Sequence, residues 1–506
     1  MKILTAAQIR QADQITLQRQ GIPSFELMQR AATVCAAKIR SLYPPSHPVI
    51  VVCGSGNNGG DGYCIAADLY KNGYKVTVHE LDEANSLTPD CQMARSLVQE
   101  LKGLEMISGM TGFSPKSGTV IIDALYGTGI NRPVTGITAE AIQLVNQSGC
   151  PVVSVDLPSG MPADPVDDIT SYPIVKASYT LTFHCPKLSL LMPGSGVFTG
   201  EMHVLDIGLD KRFTDELPDR YTFLDEGVIG SMLKSRQKFS HKGDFGHALL
   251  IAGSKGKIGA AILAAKACLR SGAGLLTVHI PECGYTAVHT AVPEAMVSID
   301  KDEEVITVLP ELHRFAAIGM GPGLGTEPET KEVIKKLLTK ITDLTSVTEK
   351  SNSQPKLVLD ADALNILSEE RDSLKLLPAG SILTPHPGEF RRLAGRWSGD
   401  KEMLDQAERF AKETGSIVVL KGHRTIITNG TRTWINSTGN SGMAKGGSGD
   451  VLTGLITGLV ASGYGPTEAA ILGVFWHGKA GDRAAAEFGE ASMTAGDIAQ
   501  YIRVEH

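Results

Sequence analysis

An α/β protein of two domains, each built on a parallel sheet with helices on both faces, is the architecture this sequence predicts. Three observations carry it. Short apolar runs alternate with helix-length segments along most of the chain, which is the pattern of βαβ units. Glycine-rich turns stand where several apolar runs meet the next helical pattern. The length, 506 residues, fits two to four domains at roughly 100–200 residues each.

The first forty residues read as helix, with Ile9, Ile15, Leu27, Met28 and Val34 among polar positions, and Pro44, Pro45 and Pro48 end it. PVIVVC is a strand, and YCIAADLYKNG a helix closed by Gly73. YKVTVHE, GTVIIDAL and PVVSVDLPSG are further strands, the last two separated by the helical TGITAEAIQLVNQSG. Two strand-like runs follow, ASYTLTFHCP and EMHVLDIGL. The charged, aperiodic KRFTDELPDRYTFLDEG then places a boundary near residues 211–225, giving domains at 1–215 and 225–506. In the second half, HALLIAG, GLLTVHI, FAAIGM, KLVLDAD, SILTP and SIVVLKG are strands, and IGAAILAAKACLRSGAG is a helix. RTIITNGTRTWIN is a hairpin around Asn429-Gly430. The segment from DVLTGLITGLVASG onward is helical, and the polar stretch around Thr345 to Gln354 reads as an inserted surface loop.

Composition narrows the function. Lys+Arg 48 against Asp+Glu 55 gives a net charge of −7, which argues against a nucleic-acid partner. No 18-residue apolar stretch or secretory leader is evident, so neither a membrane span nor export is expected. The eight cysteines form no Cys-x-x-Cys, and most read as small buried hydrophobes, fitting a reducing cytoplasm. Glycine stands out at 55 of 506, roughly 11% against a usual level of about 7%.

One cluster, Gly54-Ser55-Gly56-Asn57-Asn58-Gly59-Gly60-Asp61-Gly62, follows a strand and opens a helix. Gly54, Gly56 and Gly59 satisfy G-x-G-x-x-G, and Glu80 ends the next strand, where an acid would meet a ribose hydroxyl. Asn57 and Asn58 add carboxamide oxygens suited to a hard cation, and Asp123, Asp156 and Ser159 add more at later strand ends. Asp123 and Asp156 can equally be turn formers or helix caps. Gly127-Thr128-Gly129 is a second loop there.

Another cluster, Asn440 to Asp450, precedes a clean helix. Gly447-Ser448-Gly449 would turn backbone N–H groups toward an anion, with Asp450 in the first turn able to take a proton or simply to cap the helix. Asp360 and Asp362 could hold a metal or cap a helix. His386, bracketed by prolines, and Lys421-Gly422-His423 stand at other strand ends. No GxxxxGK[ST] occurs.

CGSGNNGGDG, DALYGTG and VDLPSG resemble the NAD(P)HX epimerase domain. GPGLG, DADALN, LTPHPGE and NSTGNSGMAKGGSGDVLTG resemble the ADP-dependent NAD(P)HX dehydratase domain. Together, and in this order, they resemble the bifunctional NAD(P)H-hydrate repair enzymes. That resemblance implies a Rossmann-like three-layer α/β/α epimerase domain and a ribokinase-like dehydratase domain. The first interconverts R and S hydrates (NADHX, NADPHX); the second restores NAD(P)H from the S form while converting ADP to AMP and phosphate. It implies that Asn57, Asn58, Gly59, Gly60, Asp61, Gly127, Thr128, Gly129, Ile130, Asn131, Arg132, Pro133 and Asp156 contact the hydrate. Asn58, Asp123 and Ser159 would hold potassium, with Asp156 as the candidate acid–base. In the second domain, Ala260, Gly323, His386 and the catalytic Asp450 would meet the hydrate. Lys421, Gly422, His423, Arg424, Thr425, Ser441, Gly442, Met443, Ala444, Lys445, Gly446, Gly447, Ser448 and Gly449 would hold ADP, with magnesium assisting. A homo-oligomeric cytoplasmic enzyme is expected.

Two other readings remain at this point. A nicotinamide-dependent dehydrogenase fused to a sugar or vitamin kinase explains the two glycine clusters but not Asn57-Asn58 or the Asp123 and Ser159 oxygens. A non-catalytic binding module leaves the acids without a purpose.

Overall fold

The computed structural model describes residues 1–81, 87–347 and 354–505. The chain divides into two compact units. One is Lys2–Asp219 with Ser398–Glu402; the other is Met1 with Arg220–Trp397 and Met403–His506. After a two-residue strand β1 (Lys2–Ile3), the N-terminal unit carries β2 (Val49–Cys53), β3 (Val76–Glu80), β4 (Glu105–Ser108), β5 (Val120–Ala124), β6 (Val152–Val155), β7 (Tyr179–Phe183) and β8 (Glu201–Leu205). They pair in the order β4-β3-β2-β5-β6-β7-β8, every neighbour parallel. The chain moves outward from β2 through β3 to β4, then returns to the other side of β2 with β5. That reversal opens a crevice at the carboxyl ends of β2 and β5, where ligands of such sheets bind.

Strands β2, β5 and β6 are buried on both faces, as β-branched runs in a covered parallel sheet must be. The helix Asn57–Lys71 crosses the sheet with most of its residues buried and packs with Met28, Cys35, Val51 and Ala124 in one core. The first forty residues form two helices, Ala6–Gln20 and Ser24–Leu42, not one. Gly21, with φ of +65°, ends the first, and Pro23 stands before the second. Edge strand β4 and the preceding helix Pro89–Gln99 carry no sequence signal of the kind that marks the others, because β4 is short, polar and half-exposed.

The C-terminal unit contains β9 (Tyr221–Phe223), β10 (His247–Ile251), β11 (Leu275–Ile280), β12 (Met296–Ile299), β13 (Ala317–Met320), β14 (Lys356–Leu359), β15 (Ile382–Leu383), β16 (Ile417–Leu420), β17 (Ile426–Thr428) and β18 (Thr433–Ile435). They run β9-β18-β17-β16-β15-β14-β13-β10-β11-β12. Strands β10 to β16 are mutually parallel, and β17 and β18 form the antiparallel hairpin expected around Asn429-Gly430. The Asn429 side-chain oxygen accepts the N–H groups of Thr431 and Arg432, fixing that turn. The expected polar loop begins later than its sequence implies: residues through Val347 continue the helix Pro328–Val347, and 348–353 lie outside the described residues. Helices Ser448–Ala461 and Ile258–Arg270 pack closely within the main core. Among the described residues, no helix is long and apolar enough to cross a membrane.

Candidate active sites

In the N-terminal unit a cavity of about 450 Å³ opens at the carboxyl ends of β2 and β5. Gly56, Asn57, Asn58, Asp61, Gly127, Thr128, Gly129 and Asp156 all line it. Gly59, Gly60, Ile130, Asn131, Arg132 and Pro133 are not in its wall. Gly59 and Gly60 are buried in the helix, and residues 131–133 are exposed beyond the rim.

Most of the glycine cluster serves packing. A β-carbon on Gly59 would lie 1.8 Å from the Gly54 carbonyl oxygen, and one on Gly54 would lie 2.2 Å from that of Leu125. Gly60 lies against Met28, and Gly62 against Ala124 and Cys53. Backbone therefore meets backbone where helix and sheet join, while Gly56 and Gly129 face open space. Glu80 is not placed for a ribose. The Arg95 guanidinium grips both of its oxygens at 2.6 and 3.0 Å, and the Tyr63 hydroxyl donates to it at 2.9 Å. A carboxylate held in this bidentate way has no lone pair left for a sugar hydroxyl in that direction.

Asp156 follows β6 with φ of +66°, a left-handed conformation uncommon for a residue with a side chain. Its Oδ1 accepts from the Lys187 ammonium and from the Phe183 N–H at 3.2 Å. Lys187 is 1% exposed and also donates to the Thr182 hydroxyl and the Phe183 carbonyl, each at 3.0 Å. A buried lysine so completed fixes the Asp156 carboxyl where it lines the cavity.

Asp123, at the end of β5, is equally buried but lacks a cationic partner among the described residues. Its oxygens accept from the Ser154 hydroxyl at 2.7 Å and the Ser159 N–H at 2.9 Å, all neutral donors, and burial pushes its carboxyl upward. Ser159 Oγ in turn bonds both backbone groups of Tyr126. A β-carbon on Gly127 would lie 3.3 Å from Asn58 Oδ1 and 3.4 Å from Asp156 Oδ2. The buried Asn58 amide nitrogen has no hydrogen-bond partner among the described residues. Hard oxygens from Asn58, Asp123 and Ser159 thus gather along the Leu125–Gly127 segment, around an uncompensated carboxylate, a set that fits a potassium ion. Asn57 differs from this set: its side-chain oxygen accepts the Thr88 hydroxyl at 2.7 Å.

In the C-terminal unit the residues at successive strand ends converge on the N-terminus of the helix Ser448–Ala461. Gly447 precedes it with φ of +91°. Asp450 sits in its first turn, half-buried, with its carboxyl raised to about 6 by burial, then by the Asp360 charge, with Lys421 opposing. Asp360, 1% exposed after β14, accepts from Lys421 Nζ and from the Thr453 hydroxyl, both at 2.7 Å. A β-carbon on Gly449 would stand 3.3 Å from Lys421 Nζ and 3.5 Å from Asp360 Oδ2. Asp360 therefore positions a lysine beside the helix N-terminus, which adds positive charge where the backbone N–H groups already favour an anion.

Asp362 accepts the Gly325 N–H at 2.8 Å and lies 3.6 Å from Lys257 Nζ, so it secures the GPGLG turn. Gly323 and Ala260 meet: a β-carbon on the glycine would lie 3.0 Å from that of Ala260. His386 caps the helix Pro387–Ala394, its Nδ1 accepting from the Gly388 N–H at 2.9 Å, and its outer edge stays exposed. Among the described residues no group of three His, Cys, Asp or Glu could hold a metal. With Asp360 and Asp362 both engaged, magnesium would arrive on the phosphates of a nucleotide.

The Gly439–Gly449 loop is pinned from behind. Asp482 accepts from the Gly439 N–H at 3.1 Å and the Asn440 amide at 3.0 Å, Ser441 bonds Glu490, and Lys445 donates to the carbonyls of Ala491 and Met493. Met443 packs on Gly481, and Ala444 and Gly446 are exposed. Across from it, the Lys421–Thr425 turn closes through the Thr425 hydroxyl on Gly422, and Arg424 donates to the Ser437 carbonyl at 2.7 Å. Burial lowers the His423 imidazole. Asp13 and Lys187, which line the cavity, and Asp482, which holds the Gly439–Asn440 turn, are absent from the sequence reading. A lone lysine within the apolar FHCPKLSLL was the one available signal.

Residues 248–503 match the family described as NAD(P)H-hydrate dehydratase, and residues 24–189 match that of the YjeF-related protein N-terminus. The bifunctional NAD(P)H-hydrate repair enzyme Nnr of Moorella thermoacetica is similar at 33% identity, covering 99% of this chain and 96% of that protein. Those of Vibrio cholerae, at 34% over 99% and 97%, and Escherichia coli, at 33% over 97% and 92%, are similar along their lengths as well. The chain belongs to the bifunctional NAD(P)H-hydrate repair enzyme family.

Proposed function

We propose that this chain repairs hydrated nicotinamide nucleotides: its N-terminal unit interconverts the R and S hydrates, and its C-terminal unit dehydrates the S form with ADP. The observation that carries the reading is Asp450, poised near neutrality at a helix N-terminus beside the Lys421–Asp360 pair. Its carboxylate takes the proton of the ring hydroxyl, and the freed oxygen attacks the β-phosphorus of ADP. The bond to the bridging oxygen breaks and AMP leaves. The phosphate then departs from the ring with its bonding pair, a proton leaves the adjacent carbon, and the ring double bond returns. Lys421 and the backbone N–H groups of Gly447 to Gly449 stabilise the charge that develops on the transferring group. Magnesium would neutralise the nucleotide's phosphates.

In the first unit, Asp156 is the acid–base group at the hydroxyl-bearing carbon, and Asn58, Asp123 and Ser159 are the ligands for potassium, whose charge would offset the buried Asp123. Direct evidence comes from incubating the protein with hydrated NADH and ADP while following near-ultraviolet NADH absorbance. Recovery is expected; none with either ADP or ATP would sink the dehydratase reading. Asp450→Asn should cut the dehydration rate by about 10²–10⁴-fold while the nucleotide still binds, and near-normal turnover would refute Asp450 as the base.

A further inference from the structure

We propose that Asp13, on the helix Ala6–Gln20, is the second acid–base group of the epimerising site, exchanging a proton with the substrate hydroxyl while Asp156 serves the opposite transfer. The inference rests on the epimerase reading above.

The chemistry asks for two such groups. The ring double bond of a dihydronicotinamide that is not conjugated to the carboxamide is an enamine. Hydration places the hydroxyl on the carbon bonded to the ring nitrogen. That carbon inverts when its C–O bond breaks, the pair leaving on oxygen, while a proton joins the oxygen and water departs. The nitrogen lone pair forms a C=N bond. Water then adds to the other face, the π pair returns to nitrogen, and the incoming water loses a proton. One proton is delivered and one removed, on opposite faces of the ring.

Asp13 and Asp156 stand on separate elements lining one cavity, together with the charged or titratable Arg10, Asp61, Asp90, His184 and Lys187. The Lys187 ammonium has its three protons on Asp156, Thr182 and Phe183, so it cannot turn to Asp13. Asp13 makes no hydrogen bond among the described residues. Its carboxyl is raised to about 6, chiefly by burial and then by the Asp156 charge, against the pull of Lys187. Near neutrality it therefore passes readily between acid and carboxylate. Asp61 is pushed well above the usual carboxylate range, by burial and then by Asp156, Asp13 and Asp90. Asp156, oriented by its bond from Lys187, is the receiving base. When one epimer reacts, Asp13 gives its proton to the departing hydroxyl and Asp156 takes one from the arriving water. The other epimer reverses both transfers, and solvent resets the pair.

The test uses the full-length protein, purified R and S hydrates of NADPH, and chromatographic separation of the epimers without ADP. For Asp13→Asn, kcat for interconversion should fall by about 100-fold or more with KM within about threefold. The alkaline limb of the wild-type kcat/KM profile, set by Asp13, should vanish from the residual activity. Asp13→Glu should restore part of the rate with that limb displaced. A kcat within threefold of wild type, a loss confined to KM, or an unmoved limb in Asp13→Glu overturns the assignment; the glutamate variant decides it even if Asp13→Asn fails to fold. Failure of the wild-type protein to interconvert the epimers would instead strike the epimerase reading itself.

Discussion

Asp360 shows how one buried carboxylate sets the working state of another. Burial raises Asp450 and the Asp360 charge adds to it, while the bond to Lys421 keeps an ammonium at the helix N-terminus. A base acts in its ionised form, so dehydratase activity should rise with pH through the Asp450 value of about 6. Asp360→Asn removes a negative neighbour while Lys421 stays positive, which lowers Asp450. The acid limb of the kcat/KM profile should therefore move to lower pH, and the plateau should fall as Lys421 loses its anchor. A limb that stays in place would show that Asp360 only supports structure. Asp360 stands in a motif open to two readings from sequence, metal ligand or helix cap. It stands at the N-cap of the helix Ala361–Glu369 but makes no side-chain cap bond there; its oxygens bond Lys421 and Thr453 instead, from segments about 60 and 90 residues away in the chain.

At the scale of elements, much of the glycine excess resolves into contacts between backbones. In the helix Ser448–Ala461, a β-carbon on Gly454 would lie 1.9 Å from the Ala264 carbonyl oxygen, and one on Gly458 would lie 1.9 Å from Ser271 Oγ. These helices cross at a distance only glycine permits, so Gly454→Ala should destabilise the C-terminal unit by about 1–3 kcal/mol or more, read as a lowered urea midpoint. An unchanged midpoint would mean the crossing relaxes freely. Strands and helices were legible because apolar runs buried on both faces need no partner to be recognised. Edge strand β4 and the break at Gly21–Pro23 were not, since one buries little and the other interrupts an otherwise continuous pattern. Site loops were legible as clusters, but their inner workings were not. Glu80 sat at the right strand end, yet Arg95 on the following helix engages it.

For the whole molecule, two units with separate cores imply separate ligand responses. Saturating ADP, at about 100 times its dissociation constant, should stabilise by about 2.7 kcal/mol whatever folds around the Ser448 helix. Replacing potassium by lithium should weaken only the unit holding Asp123. Hydrogen exchange followed peptide by peptide reads both at once: ADP should slow exchange in the C-terminal unit alone, and the cation swap should speed it in the N-terminal unit alone. Protection that spreads through both units with either ligand would contradict this division.

Glycines whose missing β-carbon faces a carbonyl oxygen also change how variation at this chain should be interpreted. At positions 54, 59 and 454 the obstacle is main chain, which every replacement shares, so no second substitution elsewhere can make room for a larger residue. At Gly56, Gly129 and Gly446 nothing stands in the way. A saturation library scored for soluble protein would leave the first group intolerant of all nineteen alternatives and the second permissive. Scored for repair, the second group would lose its tolerance too, and the difference between the two maps would draw the outline of the bound nucleotides.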